Sequence, residues 1–418
     1  MLGVGSGGPA GGPAVAAPRS GRHVVSEREA LIVLSTVDGV GPTTLERLVG
    51  RFGTAMAVLD AARAQHATAA LIAASRTTDE AGRAMSAAVA DGIVDAATRT
   101  REILAALDAT GVTIVTVEDA EYPPRLRAID LPPHVLYVRG DVDALRTPAA
   151  VAIVGTRRPS EMGRLVAARI AAALAAVGAV VVSGLAVGID GAAHAAVVST
   201  HGRTVAVLGG GLDRLFPNAH VALAREIVAT GGALVSELPP AAEPVPGTFP
   251  RRNRVISGLS QATIVVEAGA RSGALITASW ALEQGRDCFA VPGAIDSPTS
   301  AGCLALLREF PGQVRVVAGI PQLIADLEIE LPDATGQPPQ LAVPIEAVLG
   351  TLGAGPRRIA GELLAGRSTA DELVAVTGLT IAGVLGALTL LESRGLVAGV
   401  YGRYRAVGEL ATAAAEVG

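Results

Sequence analysis

The chain has 418 residues, half of them hydrophobic and only 2% aromatic, with a net charge of −5 and a pI of about 5.8. That length exceeds what a single core usually supports, so several domains are expected. The acidic balance excludes a blanket basic surface, and any nucleic-acid site has to be a local patch.

No lysine occurs, so all 34 basic side chains are arginine, a planar fork suited to phosphate and to stacking on bases. Cys288 and Cys303 have no metal-site spacing and do not form a disulfide framework. A reduced, cytoplasmic setting without metal or cofactor fits. Residues 1–24, rich in Gly, Pro and Ala, read as a disordered tail, since no basic segment leads into an apolar run as in a signal peptide. No stretch is both long and apolar enough to suggest a membrane span.

Residues 25–108 carry Ala and Leu at helical spacing and predict a helical domain of helix-hairpin-helix or SAM-like type. Gly39-Val40-Gly41-Pro42 is its hairpin turn. Its amides suit a DNA phosphate, and equally it is a packing turn between helices. Residues 109–330 predict an extended Rossmann-like DNA-binding domain. It opens with strands at Val112–Thr116 and Val135–Tyr137, separated by turns at Tyr122-Pro123-Pro124 and Leu131-Pro132-Pro133. Short apolar runs then alternate with helical stretches: Val151–Val154, Val180–Val182, Val205–Leu208, Ala233–Val235, Thr263–Val266 and Cys288–Val291. That alternation implies an α/β fold, a doubly wound parallel sheet covered on both faces. Residues 331–344 form a Pro-rich linker, and residues 345–410 predict a winged helix. In it Ser368 caps a helix from Thr369, a second helix spans Ile381–Ser393, and two strands pair around Tyr401-Gly402-Arg403.

Ligands of open α/β sheets bind beyond the carboxyl ends of the strands. Five segments are candidates there: Gly155–Ser160, Ser183–Asp190, Gly209–Asp213, Phe249–Arg254 and Glu267–Gly273. Glycine lets backbone approach an anion, helix N-termini aim amides at it, and Arg or Ser adds donors. The dinucleotide fingerprint is absent after the first strand of the alternation, and a phosphate loop needs a lysine this chain lacks. Residues 151–310 hold 13 Arg against 11 acidic residues, locally basic within an acidic chain. Arg251, Arg252 and Arg254 suit a polyanion better than one nucleotide.

These runs resemble the DNA-processing protein A (DprA/Smf) family. The resemblance rests on Val154–Pro159, Ser183–Ala186 with Gly188-Ile189-Asp190 and Ala193-His194, Phe249-Pro250 with Arg252-Asn253-Arg254, Ile256–Ser260, Val265–Ala268, Ser272-Gly273 and Leu275–Ala278, with Gly285-Arg286 and Val291-Pro292-Gly293 beyond. It implies a protein that binds single-stranded DNA, protects it and hands it to the RecA recombinase in natural transformation, self-associates as a homodimer, and is not an enzyme. Carried over by position, Arg157, the Ser183-Gly184-Leu185-Ala186 turn, Arg252, Asn253, Arg254 and Ser272-Gly273 line the DNA groove. Gly155, Thr156, Arg158 and Arg251 complete the candidate set. Two departures stand out: Val187 replaces a residue often basic in the family, and Gly302–Pro311 diverges in the self-association region.

Other residues carry two readings each. Asp190 and His194, one helical turn apart, suggest acid–base work or structural roles, with Asp190 as a cap. Glu267 is a loop holder or a catalytic carboxylate. Asn253 pairs with a base or braces a turn. Arg357-Arg358 touches DNA, or serves a protein contact or packing; residues 341–418 hold six Arg against seven acidic residues and are not basic. The alternative function is a nucleotide-processing enzyme like the LOG-type phosphoribohydrolases, whose Pro-Gly-Gly-x-Gly-Thr loop this chain replaces with Glu267–Gly273.

Overall fold

The computed structural model describes residues 25–76, 84–329, 350, 352–400, 403–406 and 410. The expected tail at 1–24, the linker at 331–344 and the Tyr401-Gly402 turn lie outside the described residues. The chain divides into two compact units, Met1–Leu331 and Pro332–Gly418.

The first unit begins with helices α1 (Glu27–Ser35), α2 (Pro42–Phe52), α3 (Ala55–Ala62), α4 (Ala67–Ala74), α5 (Ala87–Thr98) and α6 (Thr100–Asp108). Helix α1 starts on a capping box: Ser26 accepts from the Glu29 amide while the Glu29 carboxylate accepts from the Ser26 amide. Ala30–Leu34 behind it are buried. Pro42 begins α2 at a position where its missing N–H costs nothing.

Strands β1 (Thr113–Thr116), β2 (Val135–Gly140), β3 (Ala150–Val154), β4 (Val180–Ser183), β5 (Thr204–Val207), β6 (Ala233–Ser236), β7 (Ala262–Val265), β8 (Asp287–Ala290) and β9 (Val314–Val316) form one sheet, ordered β1-β2-β6-β5-β4-β3-β7-β8-β9. The run from β6 to β9 is parallel; β1 and β2, with the one-turn helix α7 (Pro124–Arg127) between them in sequence, join antiparallel at the β6 edge. The sheet is therefore mixed, not purely parallel as the sequence predicts, because the connector strands pair with the Rossmann-like sheet instead of standing apart.

Alternate residues of the central strands feed two cores. Ala152, Val154, Val180, Val182, Val205 and Val207 pack on one face, and Val151, Ile153, Val181 and Ile264 on the other. The second face is covered by α8 (Glu161–Ala176) and α9 (Ile189–Ser199). Helix α10 (Val221–Ala229) covers the end toward β6. On the first face lie α11 (Thr248–Leu259), α12 (Gly273–Glu283) and α13 (Ala301–Glu309). The chain steps outward from β3 to β6, returns along α11 to β7 beside β3, and continues the other way. The loops leaving β3 and β7 thus diverge, opening a crevice at the carboxyl ends.

The Phe249–Arg254 segment is not a loop between strands: it lies in α11. Pro250 is the third helical residue, where no intrahelical bond from its nitrogen is required. A second departure concerns the boundary expected near residue 108. Leu31, Leu34, Val58 and Ile93 of the helical segment share one buried cluster with Val112, Val135, Tyr137 and Leu234. Tyr137 Oη lies 2.7 Å from Ser35 Oγ, and Arg28 is paired with Asp119 at 3.1 Å. The helices and the sheet lie in one compact unit and share a core.

The second unit has helices at Ala354–Leu364, Ala370–Thr377 and Ile381–Ser393, then an antiparallel pair, Val397–Val400 with Arg403–Ala406. Ile359, Leu373, Val384, Leu388 and Leu391 fill its core. The cap of the middle helix is Thr369, not Ser368: its hydroxyl accepts from Glu372 N while Glu372 reaches back to the Thr369 amide. Arg357 and Arg358 are exposed within the first helix. Among the described residues no single helix is long and apolar enough to cross a membrane.

The shared core yields an expectation. A fragment of residues 25–331 unfolds in one cooperative transition. A fragment beginning at residue 109 bares Val112, Val135 and Tyr137 and melts roughly 10 °C or more lower, given about 2–4 °C per kcal/mol for a unit of this size. Calorimetry of both fragments checks it; equal melting temperatures would separate the helices from the sheet.

Candidate nucleic-acid interface

The crevice is built on one carboxylate. Glu267, just past β7, accepts from Ser160 N at 2.9 Å and from Ser160 Oγ at 2.6 Å, while its carbonyl accepts from Thr156 N at 2.6 Å. The loop after β3 is thereby tied to the loop after β7. A Cβ on Gly163 would stand 2.4 Å from the Glu267 carboxyl carbon, so the clasp requires glycine there. Of its two readings, loop holding is the one the geometry describes.

The turn after β4 is held from inside. Ser183 Oγ donates to Ile153 O at 2.6 Å, and Asp190 Oδ2 accepts from Gly184 N at 3.1 Å and Ala186 N at 3.4 Å. Leu185 is buried in a left-handed conformation, φ 57°. His220 Nδ1 donates to its carbonyl at 2.9 Å. Of the Ser183–Asp190 segment, Ala186 and Asp190 line the crevice. Asp190 is no N-cap, the cap position being Gly188; its carboxylate serves the turn instead.

His194 is fully buried. Thr204 Oγ1 gives its hydrogen to Val181 O at 2.6 Å and lies 2.8 Å from His194 Nδ1, so Nδ1 carries the proton. Nε2 is left without a partner. Burial, together with the charges of His220 and Arg252, pushes the imidazole down to about 3. Asp190 is driven up by burial, against the pull of Arg252 and the turn amides. Asp190 and His194 are thus structural neighbours rather than a working pair.

Helix α11 distributes its arginines around its circumference, because successive residues step by about 100°. Arg252 is buried and donates through Nη1 to Gly184 O and to Val207 O, the latter at 2.6 Å. Burial pulls it down to about 10, with Asp190 opposing, so it stays charged at neutral pH. Arg254 forms an ion pair with Glu237 in which both side chains are over nine-tenths buried, and burial lowers it too. Asn253 Nδ2 donates to Gly273 O at 3.2 Å, bracing the start of α12 rather than standing free. Arg251 is exposed and lies beside Gly41, away from the crevice. The sequence cluster of arginines is not a cluster in space.

What remains is a groove of about 710 Å³. Gly155, Thr156 and Arg157 form one wall and Arg271, Ser272 and Gly273 another. Phe249, Arg252 and Asn253 contribute from α11. The Arg157 and Arg252 guanidinium carbons each lie 5.8 Å from the Phe249 ring centre, and Phe216 meets Phe249 edge-on at 5.7 Å. Phe216 is 51% exposed. Arg157 and Arg271 are exposed and carry no ion pair among the described residues. The groove therefore offers exposed cations and aromatic faces together, a combination suited to a phosphate chain bearing bases.

Of the candidate residues, Gly155, Thr156, Arg157, Ala186, Arg252, Asn253, Ser272 and Gly273 converge on this groove. Ser183, Gly184, Leu185 and Arg254 are buried behind it, and Arg158 and Arg251 face elsewhere. The Gly209–Asp213 turn, expected as a phosphate site, is filled: Gly209 packs on the Phe249 ring and Gly211 on the Pro239 and Pro240 carbonyls. Sequence reasoning missed Phe216 and Arg271. Arg271 stood within a quoted glycine-rich segment; Phe216 gave no signal, since its loop folds back from a distance of more than 30 residues.

A family model described as DNA recombination-mediator protein A matches residues 113–326. The DNA processing protein DprA of Bacillus subtilis is 42% identical over 207 residues, covering 50% of this chain and 69% of that protein. A putative DNA processing protein DprA of Mycobacterium tuberculosis is 39% identical over 310 residues, covering 71% of this chain and 77% of its own. The X-ray structure of DNA processing protein A from Streptococcus pneumoniae superposes with a TM-score of 0.58 at 28% identity, over 73% of this chain and 99% of that one.

The buried imidazole carries a pH signature. Its folded value lies far below the unfolded value of about 6.5, so below that pH the unfolded chain takes up a proton that the folded chain refuses. His194 therefore costs stability as pH falls from about 6.5 toward about 3, by up to ~1.4 kcal/mol per pH unit. Denaturant titrations of the parent and His194→Asn across pH 7 to 4.5 should diverge at this slope, the parent losing more. A constant difference between them would show that the imidazole titrates normally.

Proposed function

The chain belongs to the DNA recombination-mediator protein A family, and on that premise we propose that it binds single-stranded DNA in the groove between Arg157, Phe249 and Arg271. It protects the bound strand and hands it to the RecA recombinase in the processing of incoming DNA, acting in the cytoplasm as a homodimer. The observation that carries the reading is the placement, at the switch point of the sheet, of arginines without an ion pair among the described residues beside the exposed Phe216 ring and the half-buried Phe249 ring, within an otherwise acidic chain. Free guanidiniums suit phosphates and ring faces suit unstacked bases, which a duplex keeps inside.

The chain works by binding, not by catalysis. That reading is supported by what the candidate catalytic groups do: Glu267 fastens two loops, Asp190 holds a turn, and His194 is sealed in the interior. None is left over for a nucleotide-cleaving step.

Phosphate-directed contacts carry no base information, so affinity should vary little among mixed sequences, and blunt duplex should compete poorly for a labelled single strand. Replacing Arg157 and Arg271 together by Ala should weaken binding about tenfold or more and reduce the slope of log affinity against log salt by roughly 0.7 per lost phosphate contact. Arg254→Ala, by contrast, should lower stability by about 3–5 kcal/mol through the stranded Glu237 carboxylate, without changing that slope in the folded fraction. Salt-series gel shifts with duplex competitor check the affinities and slopes, and denaturant titration checks the Arg254→Ala stability; an unaltered slope in the folded double variant removes the groove from the binding path.

A further inference from the structure

Beside the groove, across Phe216, lies a second pocket of about 770 Å³ that the reading above does not use. Phe216 lines both. The floor is apolar: Leu212 at the end of the filled glycine turn, Ala224 on α10 and Leu234 on β6 are all buried. Val221 and Val228 of α10 continue it upward. The rim is polar and carries both hydrogen-bonding senses. Arg139 is paired with Asp213 at 2.7 Å and Arg214 with Glu243 at 3.2 Å, both pairs partly exposed. Arg225 is exposed and makes no ion pair among the described residues. Three arginines thus face two carboxylates, and one cation is left over.

An apolar slot with an aromatic wall and a fork of donors and acceptors at its mouth fits one chemistry well. A nucleobase presents flat apolar faces and an edge of alternating donors and acceptors, and its phosphate is an anion. A charged peptide would leave the apolar floor unfilled, and an aliphatic ligand would leave the rim unmatched.

We propose that this pocket is a second nucleobase site, occupied by the strand that already lies in the groove as it crosses the Phe216 ring. The inference rests on the single-strand reading and deepens it. One nucleotide stacks on Phe216 at the ridge. The next base enters against Val221 and the buried floor, its edge on the Arg139–Asp213 fork. Arg225 meets the phosphate on the outer side. The two pockets then set a minimum length of DNA for full affinity, because a short oligonucleotide fills the groove alone.

The test uses the full chain and fluorescein-labelled oligothymidylates lengthened stepwise from about four to about sixteen nucleotides. The parent should show a step of about tenfold in affinity at the length that first crosses Phe216. Val221→Trp, which fills the pocket mouth, and Arg225→Glu, on the exposed face of α10, should each remove the step while leaving the affinity of the shortest oligonucleotides unchanged. Arg225→Glu keeps the test decisive if the larger side chain disturbs folding. A step that survives in both folded variants, or a smooth rise with length in the parent, overturns the second site while the groove reading stands. Absence of binding at every length in the parent overturns both.

Discussion

The groove is organised by a charge that is almost wholly withdrawn from water at its base. Arg252 projects from α11 beneath the turn after β4, and its guanidinium joins the Gly184 carbonyl to the Val207 carbonyl at the end of β5. Taking such an ion out of water costs several kcal/mol unless its hydrogens and charge are matched. Two carbonyls, both on Nη1, and the neighbouring Asp190 supply part of that match while Nε stays without a partner, and Asp190 in turn gathers the turn amides. A side chain at Gly184 would strike the guanidinium, with a Cβ 2.2 Å from Nη2. Glycine in that turn thus makes room for the arginine, not for a phosphate, and the same requirement draws the backbone through the left-handed Leu185.

Around this buried centre the structure divides its arginines into two populations. Arg252 and Arg254 are interior, and they position α11 against the strand ends. Arg157 and Arg271 are exposed and hold no counterion among the described residues, so their field is available to a ligand. Glu267 keeps the loops bearing them at a fixed spacing. The chain's acidic total does not oppose this, because exposed charges more than about 10 Å apart are screened at ordinary salt.

Much of this was legible in the sequence. Short continuous apolar runs locate all six central strands to within a residue or two, and the expected Ile381–Ser393 helix has its observed bounds. The glycine-rich turns announced which end of the sheet is used. What was illegible is direction. Adjacent residues in α11 look alike in sequence, and without knowing that Phe249–Leu259 is helical no rule assigns Arg251, Arg252 and Arg254 to three different surroundings. Phe216 lies in the loop after β5 and meets Phe249 only because Gly209–Gly211 packs flat beneath Pro239 and Pro244. Such a contact belongs to the tertiary fold and has no local signature. The core shared across residue 108 is illegible for a related reason: helical periodicity marks an apolar face without saying what covers it, and here Tyr137 and Leu234 of the sheet do.

The absence of lysine connects these observations. A guanidinium begins at 12.5, so burial that draws Arg252 down to about 10 still leaves it charged at neutral pH. An ammonium begins near 10.4, and an equal displacement would bring it close to neutrality, with only three donors and no planar fork for two carbonyls. The interior role is therefore open to arginine and largely closed to lysine. At the surface the exchange is more forgiving, since an exposed ammonium also attracts phosphate, but it cannot lie flat on Phe249 as the Arg157 guanidinium can. One residue type thus serves both as the buried brace of the groove and as its open contact, and burial, not identity, decides which. For that reason a motif match at Arg252-Asn253-Arg254 identifies the family's scaffold more directly than it identifies the atoms that would touch DNA.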